Sequence, residues 1–235
     1  MNIFKDKLVY SLIKGVIKGV ILMVLLQIIS PSLKAQDTDD DWGAIVSVGL
    51  SKKIIDNVSL SWKEEYRSRE SFSISERFAH SLEAAYSPYK FLEGGVGYIF
   101  YQYNNEDNGW QNRQRYIAYL TGDYDLGNFN IALRERYQDT QWRGNKNFKQ
   151  KTYIRSRLKV KYDIPHCSFE PFASAEMYSL LYDSPSLNNN WRYEIGSKYK
   201  INKHNKLDFH LRYTTSGVED LGNEGKICVG YTYDF

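Results

Sequence analysis

From residue 42 to residue 235, apolar and aromatic side chains recur at every second position, and no helical pattern of comparable length interrupts them. Successive side chains of a strand point to opposite sides of the pleat, so alternation at period two marks a strand with one apolar face. In 58–69, Val58, Leu60, Trp62 and Tyr66 share one parity, while Ser59, Ser61, Lys63, Glu65, Arg67 and Arg69 share the other; Glu64 is the exception on the apolar side. In 149–162, Ile154, Ser156, Leu158, Val160 and Tyr162 oppose Lys151, Tyr153, Arg155, Arg157, Lys159 and Lys161. Segment 206–215 and the closing segment, where Ile227, Val229, Tyr231, Tyr233 and Phe235 alternate with polar or small residues, repeat the pattern. Similar strands fit near 42–51, 76–86, 91–103, 110–124, 129–139, 168–180 and 190–201, eleven in all.

The connections alternate as well. Short turns near 53–57, 87–90, 125–128, 163–167 and 202–205 are interleaved with longer polar ones near 70–75, 104–109, 140–148, 183–189 and 216–224. An up-and-down antiparallel barrel in an outer membrane has this asymmetry, with short periplasmic turns and long external loops. Bacterial barrels of one chain have even strand numbers. The expected fold is therefore an all-β, up-and-down antiparallel transmembrane β-barrel of 10–12 strands, with twelve favoured.

The first 35 residues read as an address. Lys5, Lys7, Lys14 and Lys18 precede the apolar run 19–29, and SPSLKA follows, which is the basic, apolar and cleavage order of a secretory signal cut after Ala35. Lys14 and Lys18 leave eleven uninterrupted residues, against about 20 for a spanning helix. No cysteine follows the run for a lipid anchor. The expected organisation is a signal peptide at 1–35, an acidic segment at 36–41 and a barrel at 42–235. The segment through Lys34 carries +4 and the whole chain +3, so the mature chain is slightly acidic and its charge does not point to nucleic acid.

Composition narrows the class further. With 42% apolar and 25% charged residues the chain is not disordered. Two cysteines, Cys167 and Cys228, match neither a disulfide framework nor a zinc site. The aromatic content is high: 20 Tyr, 11 Phe and 5 Trp.

Alternation alone does not say which face is inside, since a soluble barrel that binds an apolar ligand gives the same pattern. Secretion, a closing strand that ends on Phe235, and aromatics on the apolar parity near strand ends favour the inverted arrangement. Trp42, Tyr66, Tyr86, Tyr98, Phe100, Tyr124, Phe129, Tyr137, Tyr162 and Tyr199 would then form two girdles at the membrane interfaces. The expected partners are outer-membrane lipid and the barrel assembly machinery, the latter through the strand ending at Phe235, with no nucleic acid.

Trp42 at a strand start, the hairpin KKIIDNVSLSWKEEYR at 52–67, the repeated Arg-x-Arg pairs and the terminal YTYDF resemble the outer-membrane barrel family catalogued as domain of unknown function 2490, common in Bacteroidota. The resemblance covers about 42–235 and implies a fold and a location in the cell outer membrane of a Gram-negative organism. It implies no catalytic residues and no substrate.

Function would then lie on the polar face. With the apolar parity toward lipid, the interior receives 18 basic against 9 acidic side chains, including a ladder of Arg113, Arg115, Arg134, Arg136, Lys151, Arg155, Arg157 and Lys159. Such an interior would attract anions, and one expectation is a narrow, porin-like path for anionic solutes. A lumen filled by Arg–carboxylate networks is the competing expectation, and it carries somewhat more weight. A lipid-modifying enzyme needs a histidine beside a hydroxyl. His166 with Ser168 falls in a turn, His80 faces outward while Ser81 faces in, and His204 and His210 have no suitable serine, so no catalytic residue is assigned. No cofactor and no metal is expected: residues 37–41 read as a solvated terminus, 104–109 lacks calcium-loop spacing, and Gly94, Gly95 and Gly97 lie within a strand, where they permit curvature.

Overall fold

A computed structural model describes residues 41–106, 108–143, 148–181, 190–215 and 223–235. Residues 1–40, with the expected signal peptide and most of the acidic segment, lie outside the described residues, as do the expected loop at 183–189 and most of the one at 216–224. Eleven strands follow in order: β1 (Asp41–Ile55), β2 (Val58–Arg69), β3 (Ile74–Tyr89), β4 (Leu92–Asn105), β5 (Gly109–Leu126), β6 (Phe129–Arg143), β7 (Phe148–Tyr162), β8 (Phe169–Leu181), β9 (Asn190–Lys200), β10 (Asn205–Thr214) and β11 (Glu224–Asp234). Each pairs antiparallel with the next, and β1 closes on β11 to complete a barrel.

The count lies within the expected range and is one below the favoured twelve. An even number is required only if the closing pair is antiparallel. Here β1 and β11 both run from the loop end to the turn end, and a parallel ladder from Asp41 opposite Glu224 to Ser51 opposite Asp234 joins them. The end carrying the short connections is called the turn end below, and the other the loop end.

Register fixes polarity. Across β6 and β7, Leu133 stands opposite Leu158, and Arg134 opposite Arg157. A slip of one residue would exchange the two faces entirely. Leu158 is 49% exposed and Ile195 64%, whereas Arg155 and Arg115 are buried. Apolar residues therefore cover the outside and charged residues fill the inside, the reverse of a soluble barrel.

Outward aromatics gather at two heights. Near the turn end, Phe129 packs on Tyr162 (4.8 Å), Phe169 on Tyr199 (4.6 Å) and Tyr233 on Phe235 (5.0 Å). Near the loop end, Tyr66, Phe78 and Trp110 form a chain of ring contacts at 5.1 and 5.6 Å. Rings with an apolar body and a polar tip are suited to such belts.

One irregularity redirects side chains. Between β2 and β3 the pairing shifts after Arg67, so that Ser68 pairs with Ser75 and Glu76 has no opposite number. Such a bulge places an extra residue on one strand and turns its side chain off the regular alternation. Glu76 is buried as a result, beside Arg77, which faces inward on the regular alternation opposite Arg67.

Candidate functional site

All eight residues of the expected basic ladder lie on the inward parity of β5, β6 and β7. They do not form one row of free charges. Toward the loop end, Arg113 is held between Tyr103 (4.2 Å) and Trp142 (4.5 Å), and Arg115 lies 4.9 Å from the Tyr101 ring while donating to the Tyr101 hydroxyl and to Thr140. Lys151 stands opposite Thr140 at the same level. Arg155 and Arg192 lie against Tyr178 at 4.4 and 5.0 Å, and Arg69 reaches Glu106 at 2.6 Å. Guanidinium over an aromatic face is stabilised by roughly 2 kcal/mol when desolvated. Tyr101, Tyr103, Tyr178, Arg69, Arg113 and Arg115 are all buried, so this half of the lumen is packed with Arg–aromatic layers.

The turn-end half is wetter. The side chains of Lys63, Lys200 and Lys206 are 48%, 47% and 40% exposed, and they pair with Glu65, Glu170 and Asp234. Arg134 donates to Thr121 and approaches Glu93 at 3.5 Å, and the Lys159 ammonium sits 3.5 Å from the Phe172 centroid. A cavity of ≈ 420 Å³ runs here along β1, β10 and β11. It shares Lys63, Glu65 and Arg212 with a second cavity of ≈ 210 Å³ at mid-barrel, and the two together form a vestibule.

The mid-barrel cavity brings four ladder residues together: Arg115, Arg136, Arg155 and Arg157. Nine cationic side chains line it against three carboxylates. Each carboxylate is already held. Glu65 accepts from Arg67 and Arg77, both at 2.7 Å, Glu176 takes a two-pronged contact from Arg155 at 2.6 and 3.2 Å, and Glu194 accepts from Arg212 at 2.8 Å. Arg136 and Arg157 have no carboxylate partner among the described residues, and their Nε–H groups are buried without an acceptor, as is the Nε2 of Gln138. Arg113 and Lys151 lie above this cluster, and Arg134 and Lys159 below it.

Some inward groups carry little or no signal in the sequence. Lys226 is fully buried with its ammonium 2.8 Å from Glu76, 3.2 Å from Glu224 and 2.9 Å from the Ser68 carbonyl. Glu224 falls within the loop expected at 216–224, and the closing strand's apolar alternation begins only at Ile227; extending that alternation backward puts Lys226 and Glu224 inside. Glu76 offers no such clue, because only the bulge turns it in. Gly43 lets Lys226 cross β1: a Cβ there would lie 2.0 Å from the Ser68 carbonyl oxygen and 3.1 Å from the Lys226 ammonium. Gly95 similarly leaves room for the Tyr119 ring, whose Cζ would be 2.4 Å from an added Cβ. What the structure shows at Gly95 is clearance for a side chain, which the sequence does not signal.

The histidines find other partners. His80 faces outward, 2.5 Å from Glu64 and stacked on Phe100, which accounts for Glu64 on the apolar parity. A second outward carboxylate, Glu135, accepts from Ser156 at 2.7 Å. His210 bonds to Asp208 inside the vestibule, and His204 bonds to the Asp234 carbonyl at the turn end. Cys228 stands opposite His210, buried, with its Sγ directed at the Lys226 carbonyl at 3.8 Å.

The model of the family of proteins of unknown function DUF2490 matches residues 42–219. The chain belongs to DUF2490. The matched span of this DUF2490 barrel takes in Trp42 in β1 and every ladder residue, and ends short of Lys226. Among solved structures, the chain is similar to the beta domain of the Bordetella autotransporter BrkA, with 14% identity, 76% of this chain and 82% of that one covered, and a TM-score of 0.47. It is also similar to a porin, with 8% identity, 70% and 54% covered, and a TM-score of 0.36. Among curated proteins nothing matches it.

Proposed function

We propose that this chain is an integral outer-membrane β-barrel, exported by the segment ending at Ala35, whose lumen is shut toward the cell exterior and open as a basic vestibule toward the periplasm. The observation that carries the reading is the inverted polarity: exposed Leu158 beside buried Arg155 and Arg115 is stable only if the outer wall meets hydrocarbon. Strands of 10 to 18 residues are long enough to cross a bilayer, which takes about 9–11 residues when tilted. The aromatic belts and the short turns at one end support the same orientation, with Phe235 on the periplasmic side.

The reading is non-enzymatic. Its work is to hold an anion-attracting basin at the inner surface of the membrane, closed off by the Arg–aromatic layers. The secretory order of residues 1–35 and the barrel pattern of 42–235 support a Gram-negative outer membrane as the setting.

Fractionation tests this. The folded protein should sediment with outer membranes, begin at Gln36, and change gel mobility on heating in detergent. Recovery as a soluble periplasmic protein, or a mature start at Met1, would contradict it.

A further inference from the structure

We infer that the mid-barrel cavity is a binding site for a compact, doubly charged tetrahedral oxyanion, either free phosphate or the phosphoryl group of a small ester. The inference rests on the proposed inward vestibule and names what that vestibule takes. Arg136 on β6 and Arg157 on β7 are near neighbours, one inward position out of register across the β6–β7 ladder, in which Arg136 faces Arg155 and Arg157 faces Arg134. Like charges this close in a low-dielectric interior repel, and a buried N–H without an acceptor is costly. Both are found here twice over: the Nε–H of Arg136 and that of Arg157 have no acceptor, and neither guanidinium has a carboxylate within 4 Å among the described residues, Glu176 opposite Arg157 being taken by Arg155. Gln138, on β6 next to Arg136 along the inward face, is fully buried; its Oε1 accepts from Arg155 at 2.6 Å and its Nε2 has no acceptor.

Three donors thus line one cavity of ≈ 210 Å³ whose three carboxylates are each already held by arginine. A guanidinium presents a planar fork suited to two oxygens of one oxyanion, and neutral Gln138 supplies a further directed donor. Chloride carries one negative charge and has no separate oxygens to meet separate donors. The adjoining ≈ 420 Å³ cavity, which opens from the same cluster at Lys63 and Arg212, has room for the remainder of an ester.

The test is titration calorimetry of full-length detergent-solubilised protein with inorganic phosphate, glycerol phosphate and chloride, with barrel integrity followed by heat-dependent gel mobility. Saturable phosphate binding, displaced by sulfate and not by chloride at the same concentration, is the expected result. Tighter binding of glycerol phosphate identifies an ester as the occupant, and equal binding identifies the free ion. Arg136→Gln and Arg157→Gln should each weaken binding at least tenfold, about 1.4 kcal/mol. Lys200→Gln, which breaks a rim pair with Glu170, should change it less than twofold. No phosphate binding, displacement by chloride, or full binding by both arginine variants would overturn the site. Any of these with an intact, membrane-inserted barrel leaves the proposed function standing; a protein soluble without detergent would remove that function whatever the titration gives.

Discussion

The Lys226 ammonium lies 2.8 Å from the Glu76 carboxylate, joining β11 to β3 across β1 and β2 through the lumen. Both side chains are fully buried. The contact bridges the parallel seam, where an odd strand number forces two strands to meet in the same direction. Removing one partner of a buried pair costs about 3–5 kcal/mol because the other charge is stranded. Lys226→Met should therefore destabilise the detergent-folded barrel by that amount, while Lys226→Met with Glu76→Gln should recover part of the loss. Equal midpoints for wild type and Lys226→Met in urea titration would show that the seam does not depend on the clasp.

Gly43→Ala attacks the same seam from the backbone. The new methyl would meet the Ser68 carbonyl at 2.0 Å, a backbone contact that no side-chain rotation relieves, and the buried Lys226 ammonium at 3.1 Å. Folding yield in detergent should fall sharply; a normal yield would mean that β1 can shift from its ladder with β2.

Two members of the ladder should behave differently. Arg155 holds Glu176 by two contacts, and Arg192 is 4.0 Å away, so Arg155→Gln leaves a buried carboxylate poorly compensated. Arg157 has no carboxylate partner among the described residues to strand. Thermal unfolding should show Arg155→Gln destabilised by about 3 kcal/mol and Arg157→Gln, which removes an unsatisfied buried N–H and a like-charge neighbour, unchanged or stabilised. The reverse order would contradict the pairing. Leu158→Arg, one residue along on the outer face, should cost about 2–4 kcal/mol if it sits at the bilayer midplane.

Parity along β7 is enough to place Leu158 and Arg157 on opposite faces, and the same alternation gives the face, though not the height, of all eight ladder residues and of the outward aromatics: Tyr98, Phe100 and Tyr137, expected in the girdles, lie near mid-strand. Parity fails where the chain breaks step. Glu76 stands on the apolar parity of its segment, and only the extra residue opposite Arg67 turns it inward. Eleven strands among the described residues fall within the expected ten to twelve, and the preference for twelve is one high because sequence gives each strand's direction along the chain and not which pair closes the ring. The ladder's charge excess is legible in the sequence, yet its division is not. Arg155 and Arg157 look identical there; register sets Arg157 directly opposite Glu176, yet it is Arg155, opposite Tyr178, whose guanidinium reaches diagonally to the carboxylate, a choice only side-chain packing makes.

The two cysteines separate inside from outside. Cys167 is exposed in the turn before β8, and Cys228 is buried with its Sγ against the Lys226 carbonyl. A thiol reagent added to folded protein should modify Cys167 and spare Cys228, as read by mass spectrometry of the intact chain. Modification of both at similar rates would mean that Cys228, buried in the wall of the vestibule, is not shielded by its neighbours.

Conductance in planar bilayers bears most directly on a barrel that spans the membrane with its outer half closed. Purified protein inserted into a bilayer should carry no steady current, and a variant that thins the Arg–aromatic layers, Tyr101→Ala with Arg113→Ala, should open an anion-selective one. A steady current through the unmodified protein would contradict the closed lumen, and cation selectivity in either protein would contradict the inward placement of the basic ladder.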